Sequence, residues 1–438
     1  MNRGPSQAAL RRCAPPGHSP SRRPLGAVLS AHLVSVTCTA VSAITLPWLV
    51  LTTTGSASRT GLVVFAELAP YVVMQALAGP WVERFGPRRA SRAGNLLAGA
   101  VLLLVPALHL TGQLRFEVLL GLVAVVGGLR GVADCGSAPL VPGTAGRAGV
   151  ALERAAGLHA SVSQGGHLVG APLAGLLLTV LDPALVLAVS GSGICLAGLV
   201  VALGVPRSVG APSPASDGSG RPTAYRTRLA EGLGFLAHEP VLRGPVVMIA
   251  VTNLISMGLA GVLLPAWVRD QGLPVAAVGT VAGALALGGL IGSLLGSWLA
   301  PRLRRWVTYA VGFLVGGPPL LLVLAFGAPL PVVVAVAAAG GLAGGGINPV
   351  VGAVQFERVP EPMLPRVLGA VKAVAWAGVP LGPLVAGAMT DLVGVRAALS
   401  VFGGAYVLVA LAPFALRSFR LMDQRPTHPP PAGAVDAR

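Results

Sequence analysis

Long apolar stretches recur along the chain, each closed by a short polar or Gly/Pro break. A helix needs about 20 predominantly apolar residues to cross a bilayer. Twelve stretches reach that length, near 26–51, 60–81, 93–112, 117–138, 160–180, 184–204, 245–267, 276–299, 307–326, 332–353, 367–389 and 397–416. The ninth and tenth are hardest to separate, because Gly316-Gly317-Pro318-Pro319 interrupts one and only residues 327–331 lie between them. The pattern predicts an all-α polytopic membrane protein with twelve transmembrane helices.

The polar remainder is small. Residues 1–24 and 417–438 form tails, of which Met1–Pro24 and Pro426–Arg438 are rich in Pro, Arg and Ala and are expected to be disordered. Residues 205–243 form a central loop, and its first part, residues 211–222, has linker composition. Six spans lie on each side, in residues 25–204 and 244–416. The halves echo one another: Gly79-Pro-Trp81 ends span two before Arg88-Arg89, and Gly296-Ser-Trp298 ends span eight before Arg304-Arg305. Gly170-Ala-Pro172-Leu-Ala-Gly175 in span five is answered by Gly382-Pro383-Leu-Val-Ala-Gly387 in span eleven. The offsets, 217 and 211 residues, are about half the chain and indicate an internal duplication into two pseudo-symmetric halves.

Composition agrees with a membrane class: 54% of residues are hydrophobic, 11% are charged and the mean hydropathy is +0.78. The charge balance points elsewhere at first, since 31 Lys and Arg against 15 Asp and Glu give +16, a value that on its own suggests nucleic acid. Location resolves the conflict. With the amino terminus inside, 25 basic residues fall on the inner side, and only Arg59, Arg115, Arg269 and Arg396 fall outside. That asymmetry puts both termini in the cytoplasm and excludes a nucleic-acid partner. Arg11-Arg12 and Arg22-Arg23 read as anchors of the first span, because the apolar run after them is too long for a signal peptide and eleven more follow.

Several chemistries are missing from the chain. A phosphate loop needs Gly-Lys followed by Ser or Thr, yet the only lysine, Lys372, stands between Val371 and Ala373. No ATP-driven chemistry through such a loop is therefore expected. Cys13, Cys38, Cys135 and Cys195 are scattered, so neither a metal site nor a disulfide framework is expected. Gly340 to Gly346 reads as a close-packing helix surface. No catalytic residue, cofactor or enzymatic activity is expected.

Gly79-Pro80-Trp81-Val82-Glu83-Arg84-Phe85-Gly86-Pro87-Arg88-Arg89 resembles the signature between spans two and three of the major facilitator superfamily, with Trp81, Glu83 and Pro87 as departures. The resemblance implies that fold, and for Gly79, Glu83, Arg84, Gly86, Arg88 and Arg89 a cytoplasmic gate in which the Glu83 carboxylate latches against the start of span eleven. Leu46-Pro47-Trp48-Leu49-Val50, residues 152–158 and residues 231–243 are similar to the drug and siderophore exporter branch, which includes macrolide-efflux and enterobactin-exporter proteins. Pro172 and Gly175, with Gly382 and Pro383, resemble the helix-bend motif of family antiporters, although small residues and Pro also serve helix packing.

Polar groups at membrane depth are costly and usually face a cavity or a partner. Glu67, Tyr71 and Gln75 recur at four-residue spacing on one face of span two. Glu67 is a candidate proton carrier or a structural hydrogen-bonding group. Arg130 and Asp134, one turn apart in span four, can pair with each other as a structural ion pair, or Arg130 serves as a proton relay or substrate-anion contact, and Lys372 in span eleven either reaches Asp134 or Glu83 or snorkels to the cytoplasm. Cavity-lining candidates are Ser35, Ser42 and Thr45 in span one, Tyr71 and Gln75 in span two, Asn253 and Ser256 in span seven and Asn348 in span ten; the resemblance implies that spans one, four, seven and ten surround the cavity. His167 in span five is a packing histidine or a titrating one.

The expected function is export of a small, hydrophobic compound (a drug, antibiotic or siderophore-like molecule) across the cytoplasmic membrane by a monomer, in exchange for protons, through alternating access at a midplane site. An importer or facilitator with the same fold is the alternative, and a transporter-like sensor is a third reading.

Overall fold

The structure, a computed structural model, describes residues 21–209, 225–299, 304–360 and 363–423. The expectations for residues 1–20, for the linker at 211–222, for the end of the carboxyl tail and for Cys13 lie outside the described residues. Every regular element among those described is helical. The first six spans are Arg23–Thr54, Ala57–Leu77, Pro87–Leu110, Phe116–Ser137, Leu152–Val180 and Pro183–Gly204. Span seven runs through Pro240–Gly258, a π-helical turn at Leu259–Leu263, and Leu264–Asp270. Span eight is Ala276–Leu299. Span nine breaks at Gly317 between Arg305–Gly316 and Pro318–Ala325, as its Gly-Gly-Pro-Pro sequence predicts. Span ten is Leu330–Gly345 and Ile347–Arg358, span eleven Leu364–Ala377 and Leu381–Val393, and span twelve begins with Val395–Ala410.

Eleven of these segments are both long and apolar enough to cross a membrane. The exception is span five, a continuous helix of 29 residues, about 43 Å long at 1.5 Å per residue. Its length suffices, while Ser161, Ser163, Gln164 and His167 dilute its apolar character. It also starts earlier than the hydrophobic pattern indicates, at Leu152 instead of near 160.

Two compact units divide the chain, and they cut across the sequence repeat. Among the described residues, unit one holds 21–209 together with 257–286 and 379–398. In it span one packs on spans five and six, span three on spans four and six, and span two on span four. The last contact is the tightest: a Cβ at Gly127 would collide with the backbone carbonyl of Glu67, and one at Gly131 would lie 2.7 Å from the carbonyl of Tyr71. Lipid supplies no hydrophobic force to drive helices together, so small residues that let backbones touch are the usual solution.

Two apolar clusters flank the interior. Leu46, Leu102, Val123 and Ile194 belong to one, and Leu25, Val28, Leu140 and Val201 to the other. The polar groups described below lie between them along span one.

Unit one also contains the ends of spans seven, eight and eleven on the side that the charge count makes external. The Asp391 carboxylate at the end of span eleven accepts from Ser56 Oγ at 2.8 Å and from the backbone N–H groups of Ala57 and Ser58, each at 2.9 Å. It caps the start of span two, where free N–H groups and the helix dipole favour a negative charge. Arg269 Nη1 donates to the Leu51 carbonyl at 2.7 Å, and the Pro383 carbonyl and Gly387 pack on Gly61 and Ala57. The Pro172 ring seats on Gly283, and Gly175 meets Ala276 and Gly279. Pro172, Gly175 and Pro383 therefore lie at close contacts of spans five with eight and two with eleven.

Unit two comprises, among the described residues, 225–256, 287–299, 304–360, 363–378 and 399–423. Its buried Tyr309 donates to the Pro245 carbonyl at 3.1 Å and packs on Phe313 and Phe419. The second half of the central loop is a helix, Tyr225–His238, which lies against the start of span eleven and is pinned there by Glu231 and Arg366 at 2.6 Å. This pair is more than a third exposed, so it contributes little on its own. Arg305 forks onto Glu357 with bonds of 2.6 and 2.8 Å.

Gly127→Val is expected to lower the melting temperature of the detergent-purified protein sharply or to prevent its folding, since overpacking costs about 1–3 kcal/mol or more. Gly121→Val on the same helix meets open space and should melt like the parent; equal behaviour of the two variants would contradict the packing described. Asp391→Ala should cost about 1 kcal/mol, as for other lost caps, and accelerate amide hydrogen exchange at residues 57–61. Unchanged exchange there would mean that the cap holds nothing.

Candidate functional site

The contact of Gly127 and Gly131 with span two sets the register of two polar faces. It brings Glu67, buried at 9% exposure, opposite Arg130, whose Nη1 lies 3.9 Å from Glu67 Oε1. Arg130 also stands over the Tyr71 ring, 5.9 Å from its centre. One turn further along both helices, the Tyr71 hydroxyl donates to Asp134 Oδ2 at 3.0 Å and accepts from Gln75 Nε2 at 2.9 Å. This corrects one sequence expectation, because Arg130 pairs with Glu67 and not with its helix neighbour Asp134. The reason is steric: glycines at 127 and 131 let span two approach closely enough for each span-four charge to find a partner across the interface.

Asp134 also borders a cavity of about 10 Å³, lined by His32, Ser35, Ser91, Asn95 and Ser137 among others. Such a volume suits a single water. Ser35 Oγ donates to Asn95 Oδ1 at 2.8 Å, and Asn95 Nδ2 donates to the Ser91 carbonyl at 2.8 Å. The ring of His32 stacks on that of His159 from span five, with centres 4.1 Å apart and planes 18° from parallel.

The remaining candidates disperse. Ser42 and Thr45 are buried and bond the carbonyls of Thr39 and Val41 on their own helix, while Ser35 bonds Asn95 on span three. In unit two, Asn253 Nδ2 donates to the Ala375 carbonyl at 2.9 Å, Ser256 is half-buried, and Asn348 and Lys372 are exposed. His167 is exposed on span five.

The gate motif separates into exposed and buried parts. Glu83, Arg84 and Arg89 are exposed. Gly86 has φ of 86°, a conformation that explains a glycine at that position. Arg88 is buried and donates to the carbonyls of Val205 at 2.7 Å and Ala202 at 2.6 Å. It thereby caps span six, which has no basic residue in its own last turn.

The hydrophobic pattern singles out none of His32, His159, Asn95 or Asp391. His32 interrupts an apolar run between Ala31 and Leu33 and is the visible signal. His159 falls just before the apolar stretch of span five and looks like loop until the helix is seen to begin at Leu152. Among the described residues, no group of three or more His, Cys, Asp or Glu side chains could hold a metal ion.

Comparison with known proteins matches this architecture. The chain is 30% identical over 406 residues to the multidrug efflux pump Tap of Mycolicibacterium fortuitum, covering 92% of this chain and 98% of the relative. It is also 30% identical over 409 residues to the multidrug efflux pump Tap of Mycobacterium tuberculosis strain H37Rv, covering 93% and 96%. Among solved structures, a point mutant of the nucleoside transporter NupG superposes with a TM-score of 0.72 at 11% identity, covering 90% of this chain and 99% of that one. A bacterial homologue of the human lysosomal transporter Spinster, inward-facing and occupied, gives 0.71 at 14% identity, covering 94% and 100%. Residues 28–254 and 246–437 match the Major Facilitator Superfamily. With spans, gate motif and whole-length likeness in agreement, the chain belongs to the major facilitator superfamily of membrane transporters.

Proposed function

We propose that this transporter exports small hydrophobic compounds from the cytoplasm in exchange for protons. In this reading it is a monomer in the cytoplasmic membrane with both termini inside. The observation that carries export is the 30% identity to multidrug efflux pumps along nearly the whole chain. Support for proton exchange comes from the Glu67 and Arg130 pair, buried between spans two and four.

The chemistry of that pair suits a reversible proton. At 3.9 Å the two groups are beyond hydrogen-bonding distance, so a proton can settle on Glu67 without breaking a hydrogen bond. It cancels the carboxylate charge and leaves Arg130 facing Tyr71 and its helix neighbour Asp134. The ionised and neutral states of Glu67 thus differ in the attraction between two packed spans, which is the kind of difference that biases an alternating-access equilibrium. Each proton moving inward down 100 mV releases about 2.3 kcal/mol.

Cells producing the protein are expected to accumulate less ethidium than cells without it, and a proton uncoupler should abolish the difference. Greater accumulation in producing cells would instead support an importer. In liposomes, Glu67→Gln should retain ethidium binding and lose the acceleration of efflux by an imposed pH gradient. Full gradient-driven efflux by that variant would remove Glu67 from the proton path.

A further inference from the structure

We propose that His32 and His159 form a second proton station, which takes one proton at a time and exchanges it with the Asp134 carboxylate. The inference rests on the proton-exchange reading and adds residues to it.

The geometry is specific. Two imidazoles stacked 4.1 Å apart can both be neutral, or share one charge, but two positive rings at that distance repel strongly. The Nε2 atoms of both rings are buried and lack a hydrogen-bond partner, whereas buried polar atoms are almost always bonded. Three neighbouring groups have other partners: Ser35 Oγ donates to Asn95 Oδ1, Asn95 Nδ2 donates to the Ser91 backbone carbonyl, and Ser137 Oγ donates to the Asp134 carbonyl at 3.1 Å. The two imidazole nitrogens are thus open positions beside this polar cluster. His32 also faces the cavity that Asp134 lines, with room for one water to relay a proton.

The electrostatic surroundings are defined on every side. Span five contributes His159 and His167, and span four contributes Asp134, which lines the same cavity as His32. Span three presents Ser91 and Asn95, span six Val201, and the helix Leu140–Ala148 its Leu140. Span two joins through Tyr71, whose hydroxyl sits on Asp134. Arg269 of span seven bonds span one at Leu51, nineteen residues from His32. A proton bound by the pair gains Asp134 as counter-charge; when it leaves, Asp134 keeps the Tyr71 hydrogen bond. Only N–H and O–H bonds form and break, and solvent at the start of span five is the source and sink. Asp134 lies one turn from Arg130, so the station is coupled to the Glu67 pair through adjacent charges on one helix.

The test uses full-length protein with ¹⁵N-labelled histidine in lipid nanodiscs, titrated by NMR between pH 4.5 and 9. The pair is expected to take up one proton over that range, with the His159 titration altered by His32→Asn and the His32 titration altered by His159→Asn. In liposomes, both variants should lose the effect of an imposed pH gradient on ethidium efflux while retaining downhill ethidium exchange, a split that a packing role would not produce. Two independently titrating rings, or none titrating, overturn the station even if the variants fail to fold, because that readout is on the parent protein. Gradient-driven efflux with an unchanged pH profile in both variants overturns the station and leaves proton exchange standing. Parent protein indifferent to the gradient overturns proton exchange and the station together.

Discussion

Close approach of spans two and four, permitted by Gly127 and Gly131, is the contact on which the polar interior depends. A side chain at either position would push the helices apart. Glu67 would then lose Arg130, and Tyr71 would lose Asp134, each stranded in a medium that offers no water. Burying a charge without a partner costs several kcal/mol, so backbone contact and ion pairing are one design: the glycines supply proximity, and proximity makes the charges tolerable.

The same logic recurs at the helix ends. Arg88 caps span six and Asp391 caps span two, each charge meeting the end of a helix dipole that attracts it. Asp391 does so from the end of span eleven, which makes the contact a point where one helix holds the start of another without any interhelical ion pair.

The polar groups of unit one form a graded series. Glu67 and Arg130 are paired by charge alone, Asp134 is hydrogen-bonded to Tyr71, and His32 and His159 are stacked with free nitrogens. None of these is held by the bidentate geometry seen at Arg305 and Glu357 in unit two. Fixed forks suit structural joints, and looser contacts suit groups that exchange protons.

The sequence by itself determined the number and order of the spans, the repeat and the break in span nine, because each follows from local hydropathy or from Pro and Gly. It also located the isolated polar residues Glu67, Tyr71, Gln75, Arg130 and Asp134, since a charge within an apolar run is visible without coordinates. What it left open was partnership. Spacing along span four favours Arg130 with Asp134, yet the observed partners lie on span two, sixty-three residues away in both cases. The imidazole pair was equally out of reach, because His32 and His159 come together only through the packing of span one on span five. Local pattern fixes which residues share a helix face; which face meets which depends on helix rotation and approach, and only the tertiary structure decides those.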